Sequence, residues 1–239
     1  RAKDPEMVRR RIGVNYDCCH LAIEREDARA GLDAIKQAGV RLSKLHLSSA
    51  LQVIPTPQNL GKLNFFVEPV YLHQVITSQK GRVLERIKDL DRALQCSNEG
   101  SLIPRADEWR VHFHVPLHAS PGNGLGDTRQ HVLDTLDWLQ ENPDTCRHLE
   151  METYTWEVLP PELRSSEVVD QVAKEYFLIK ILYKLIPLDN LQIDIFKTLF
   201  KRIFIKNNII NKKTDIFLSE GIFHLLTMFD KMNKLSLKE

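Results

Sequence analysis

Four strand-then-helix units, strands with one apolar and one ionisable face, and a break in composition near residue 176 predict an α/β chain. The expected architecture is a partial (β/α)8 TIM barrel followed by a helical C-terminal tail. The first strand, Arg11 to Asp17, sets Ile12, Val14 and Tyr16 against Gly13, Asn15 and Asp17. A helix over Asp27 to Ala38 follows, with Asp27 as its cap and Gly39 as its stop. In the second strand, Arg41 to Ser48, Leu45 and Leu47 oppose Lys44, His46 and Ser48, and the next helix is expected from roughly Arg82 to Leu94. The third strand, Trp109 to Leu117, puts Val111, Phe113 and Val115 on one face and Arg110, His112 and His114 on the other. Asp127 then caps a helix to Gln140. The fourth strand, His148 to Thr155, sets Leu149 and Met151 against Glu150 and Glu152, before a helix over Pro161 to Tyr176.

An open doubly wound sheet competes with the barrel for such units. A strand buried between two helix layers does not tolerate an ionisable face. A barrel with a metal or acid/base centre at its mouth is therefore the more economical reading.

Composition narrows the function. With 43 % apolar and 27 % charged residues the chain is of the soluble globular type, and a net charge of +1 provides no global field for nucleic acid or an anionic membrane. Cys18, Cys19, Cys96 and Cys146 make no C-x-x-C pair and are too sparse for a secreted disulfide scaffold, so a reducing, cytoplasmic setting is expected. The first residue is Arg, and the first twelve hold no apolar run of signal-peptide type, so the chain reads as a fragment that begins mid-protein.

The break separates two compositions. Residues 1–176 hold 7 Lys and 15 Arg with a balance of −4; residues 177–239 hold 10 Lys and 1 Arg with a balance of +5, and no alanine. Residues 1–176 are thus expected to be the barrel half and 177–239 a Lys/Ile/Asn-rich appendage. Lysines interrupt its apolar runs well short of the roughly 20 residues of a membrane span, so amphipathic helices are predicted. Lys beside Phe and Ile suits contact with a membrane surface or with another protein.

Asp17, His20, His46, His73, His112, His114 and Glu152 form an inventory of carboxylate and imidazole groups, most of them recurring at one end of the strands. Zinc or manganese accepts such mixed shells, and a site with open positions activates water or polarises a substrate oxygen. Ser48 and Ser49 read as polar lining, Arg9 to Arg11 as a solvated inter-strand loop, and Gly122, Gly124 and Gly126 as a flexible loop whose spacing departs from the dinucleotide fingerprint.

These residues lie in blocks that resemble a known group. Gly13-Val-Asn-Tyr-Asp-Cys-Cys-His20 is similar to the Asp-x-x-His ligand strand of the xylose-isomerase-like TIM barrels, the superfamily of the endonuclease IV type. Lys44-Leu-His-Leu-Ser48 and Glu152-Thr153 are similar to two of its later strands. With Glu68-Pro-Val-Tyr-Leu-His-Gln-Val75, Trp109-Arg-Val-His-Phe-His-Val-Pro116 and His148-Leu-Glu-Met-Glu-Thr-Tyr-Thr-Trp156, the order resembles the EboE metabolite-traffic family over roughly residues 11 to 175.

The resemblance implies that the four strands are the fifth to eighth of a barrel. It implies a metal-ligand role for Asp17, His20, His46, His73 and Glu152, although Tyr71 stands where the endonuclease pattern has a further Asp ligand. It implies traffic of a small, isoprenoid-linked precursor. The alternative within the superfamily is a metal-dependent hydrolase or sugar isomerase/epimerase with His112 or His114 as acid/base.

Overall fold

The computed structural model describes residues 4–98, 106–152, 155–165 and 167–182, and two separate sheets organise them. Helix α1 (Pro5–Arg11) is capped by Asp4, whose carboxylate accepts from the Met7 amide at 3.0 Å. Arg9 to Arg11 are thus the exposed last turn of a helix, where cations complement its dipole, and not part of a loop or strand. Strand β1 (Val14–Asp17) passes directly into helix α2 (Cys18–Ile23), and helix α3 (Ala28–Gln37) follows with Asp27 as its cap and Gly39 at φ 65° as its stop. Strand β2 (Leu42–Leu47) lies parallel to β1. Gly13 sits where the two begin: a Cβ there would stand 2.2 Å from Ser43 Oγ and 2.5 Å from the Arg41 carbonyl oxygen, so only glycine fits.

Past His46 the chain enters no helix. It bends at Ser48 into strand β3 (Ser49–Val53), then helix α4 (Pro57–Lys62), and strands β4 (Val75–Gln79) and β5 (Arg82–Ile87). Lys80 and Gly81 join the last two, both at positive φ (48° and 78°), the combination that a two-residue hairpin turn requires. The helix expected over Arg82 to Leu94 is therefore strand in its first half. Helix α5 begins only at Leu90 (Leu90–Asn98).

Strand β6 (Glu108–Val115) pairs antiparallel with β3 on one edge, Ser49 opposite Val115 and Val53 opposite Trp109, and antiparallel with β4 on the other. Strand β7 (Leu125–Asp127), helix α6 (Arg129–Glu141), strand β8 (Leu149–Met151) and helix α7 (Val168–Leu182) complete the described chain. The sheets are a parallel one in the order β1-β2-β8 and an antiparallel one in the order β5-β4-β6-β3-β7. This overturns the TIM-barrel expectation. Both edges of β6 are occupied by antiparallel partners, so it cannot stand between β2 and β8 as a barrel strand, and no barrel closes among the described residues.

Each sheet has its own core. Tyr16, Leu45, Leu47 and Leu149 of the parallel sheet pack with Leu32 of α3 and Leu136 and Leu139 of α6. Leu51, Trp109, Val111 and Phe113 of the antiparallel sheet pack with Leu63, Phe66 and Leu90. Helix α7 runs without interruption across the composition break, and Ile179, 6 % exposed, sits in the first core. The amphipathic helices expected beyond it lie outside the described residues. No described helix is long and apolar enough to cross a membrane.

Ile179→Ala is expected to destabilise the protein by about 2–4 kcal/mol, the usual cost of a cavity of that size. Val40→Ala, at a position 42 % exposed, should stay within about 0.5 kcal/mol of the parent in the same urea titration. Equal midpoints for the two variants would separate residues past the break from the core.

Candidate metal centre

The parallel register builds the site. Asp17 pairs with His46 and His46 with Glu150, so the three stand in one row across β1, β2 and β8, and Glu152 follows two residues on, on the same face as Glu150. Asp17 ends its strand and caps α2: Oδ1 accepts from the Cys19 and His20 amides at 3.0 and 3.2 Å and from the Ser48 hydroxyl at 3.0 Å. Its other oxygen accepts from His46 Nδ1 at 3.1 Å. Glu152 Oε2 lies 3.5 Å from the same nitrogen, so His46 stands between two carboxylates. Glu150 Oε2 faces the other ring nitrogen, 3.7 Å from His46 Nε2, and accepts from Lys44 Nζ at 2.8 Å.

Asp17, His46 and Glu152 each present a ligand atom within 4.8 Å of the other two, a group able to hold a metal ion. Cys19, His112 and His114 form a second such group. The two adjoin, since His114 Nδ1 is 3.9 Å from Glu152 Oε2 and His20 Nδ1 is 3.9 Å from Asp17 Oδ2. His73 belongs to neither. Its Nδ1 lies 2.8 Å from the His112 carbonyl oxygen and its Nε2 2.8 Å from Glu68 Oε1, so one ring nitrogen ties the 68–73 loop to β6 and the other closes the loop on itself.

Electrostatics divides the histidines. Hydrogen bonds to Asp17 and Glu152 outweigh burial and lift His46 to about 9, which makes it a cation at neutral pH. Burial alone would raise Asp17 and Glu152, but the His46 bond, with His20 beside Asp17 and His114 beside Glu152, holds both below their usual range. Burial beside His114 and His20 lowers His112 to about 4, and burial lowers His114 as well, so these two rings are neutral at pH 7. Burial and the nearby Asp17 push the Cys19 thiol well up.

The donor set fits a divalent ion. Two ionised carboxylates and one imidazole suit a hard or borderline cation, which would occupy the place now held by the His46 proton and release it. Such an ion supplies Lewis acidity toward a substrate oxygen. The chain's own part is to hold the donors: Ser48 and the α2 amides fix Asp17, and the β2–β8 register fixes His46 against Glu152.

The sequence reading did not single out Cys19 as a donor. The signal was the helix start itself, because a capping Asp17 orients the first turn of α2 and with it Cys19 and His20.

The sign of the pH dependence follows. In chelator-treated protein, His46 has a folded value of about 9 against 6.5 unfolded, so its stabilisation is full below 6.5 and is lost as pH rises toward 9. His112 runs the other way: held at about 4 against 6.5, it costs stability at acid pH and ceases to do so as pH rises through 6.5. Urea midpoints of parent minus His46→Gln should shrink between about pH 6.5 and 9, and parent minus His112→Gln should grow between about pH 4 and 6.5. Flat differences would show that neither ring has the surroundings described. No family model, no curated protein and no solved structure matches the chain, so the chemistry of this centre carries the functional assignment.

Proposed function

We propose that the chain is a divalent-metal-binding protein of the EboE metabolite-traffic type that handles a small precursor at the Asp17–His46–Glu152 centre. The convergence of these three donors at the carboxyl ends of three neighbouring parallel strands supports the reading more than any other observation. Zinc or manganese is the resident ion, because both accept mixed imidazole and carboxylate shells. The isoprenoid-linked precursor is what the EboE resemblance implies, and the open groove of about 360 Å³ along residues 67–72, where Val67, Val70 and Leu72 expose apolar side chains beside Glu68, Asp89 and Asp91, offers it apolar surface apart from the centre. Buried, reduced Cys18, Cys19 and Cys146 suit the cytoplasm.

Elemental analysis of the full chain, purified without chelator, should find about one or more equivalents of a divalent ion. His46→Ala should lower the affinity at least tenfold, by comparison with the losses that follow even indirect changes at metal sites. His131→Ala, on α6, where the parent's ring meets the hydroxyl of Tyr16 of β1 at 2.9 Å, should keep the parent's content. Equal content in the two variants, or none in the parent, would sink the centre. For the precursor, a prenyl diphosphate should raise the melting temperature of the metal-loaded protein where a sugar phosphate does not. The reverse ranking would replace traffic of an isoprenoid with chemistry on a sugar.

A further inference from the structure

Cys18 and Cys19 are neighbours in sequence and face different surroundings. The Cys18 thiol donates to Thr135 Oγ1 at 3.7 Å within the core that holds Tyr16, Leu32 and Leu45. Cys19, fully buried, borders Ile23, Ala50 and Ile76. Its sulfur also lies within 4.8 Å of a nitrogen of His112 and of His114, which are themselves that close to each other. His20 adds a further imidazole: its Nε2 is 3.0 Å from His112 Nε2, with the rings edge-on at 4.6 Å.

The geometry points to a second metal position, formed by Cys19, His112 and His114, that takes a thiophilic ion of the zinc type. In tetrahedral zinc sites, with bonds of about 2.0–2.1 Å to nitrogen and about 2.3 Å to sulfur, neighbouring ligand atoms stand about 3.3–3.7 Å apart. The Cys19, His112 and His114 atoms all lie within 4.8 Å of one another, a limit that admits that spacing and leaves the fourth position open. A core-filling thiol has no need of two ring nitrogens at its side, whereas thiolate with imidazole is the donor combination that selects zinc over manganese or magnesium. The donor types differ sharply from those of Asp17, His46 and Glu152, so the two positions would sort ions by softness.

Binding is a substitution that balances: the Cys19 S–H bond breaks, a sulfur–metal bond forms, and the proton leaves to solvent. The imidazoles contribute lone pairs and lose no charge. This inference extends the reading of the Asp17 centre, but it rests on separate residues and has its own readout.

Cobalt(II) reports on both positions. Full-length protein stripped by chelator and titrated with cobalt should develop a near-ultraviolet thiolate-to-cobalt charge-transfer band together with the strong visible bands of tetrahedral cobalt. Cys19→Ser should abolish the charge-transfer band and lower the bound cobalt by about one equivalent, while Cys18→Ser keeps both. If Cys19→Ser fails to fold, His112→Gln, at a half-buried position, should weaken the band's titration at least tenfold.

Bound cobalt with no charge-transfer band, or a band that survives Cys19→Ser, would overturn the second position and leave the first intact. A band that persists in His46→Ala with unchanged stoichiometry would overturn the first and leave the second. A chain that takes up no cobalt would overturn both.

Discussion

The Asp17 carboxylate is the group on which the rest of the centre depends. It lies where β1 ends and α2 begins, so one side chain closes a strand, caps a helix and holds His46. Oδ1 accepts from two backbone amides and one hydroxyl, and Oδ2 from one imidazole. Hydrogen bonds to an ionised acceptor are about twice as strong as neutral ones, which is why the carboxylate stays charged against the cost of its burial. Through the α2 amides it also sets the direction of Cys19 and His20, and through Ser48 it reaches the bend that separates the two sheets.

That bend gives the molecule its form. Had the chain after His46 turned into a crossover helix, a parallel strand could have followed beside β2. It continues instead as β3, whose pairing with β6 carries His112 and His114 to the side of α2. The centre is therefore assembled from two sheets with different hydrogen-bonding rules. Asp17 and His46 come from the parallel sheet, with Glu152 immediately past its third strand, and the two neutral imidazoles come from the antiparallel one. Each set keeps the charge state that its surroundings favour: carboxylates around an imidazolium on one side, and uncharged rings with a protonated thiol on the other.

Burial of the imidazoles has a cost that the packing offsets. His112 and His114 lie next to Trp109, Val111 and Phe113 on the same strand, and those side chains are fully buried in the second core. The apolar face anchors β6 and the polar face is carried along with it. His73 reinforces the anchor from behind by bonding the His112 carbonyl, which makes it a structural clamp despite its place among the expected ligands.

What the sequence determined by itself was local. Asp27 followed by a helical period and Gly39 defined α3, and the alternation in residues 11–17, 41–48 and 109–117 marked both the strands and the polar faces that hold Asp17, His46, His112 and His114. Those signals are legible because a cap and a two-residue period depend only on neighbours along the chain. The tertiary structure decided which strands pair and in which direction, and a period of two is the same in parallel and antiparallel sheets. It decided that Lys80-Gly81 turns a hairpin where a helix was expected, that α7 runs past the composition break to Leu182, and that His73 faces Glu68. It also separated Cys18 from Cys19, since adjacent residues on a helix differ by about 100° in direction and only the packed neighbours determine which of the two meets the histidines.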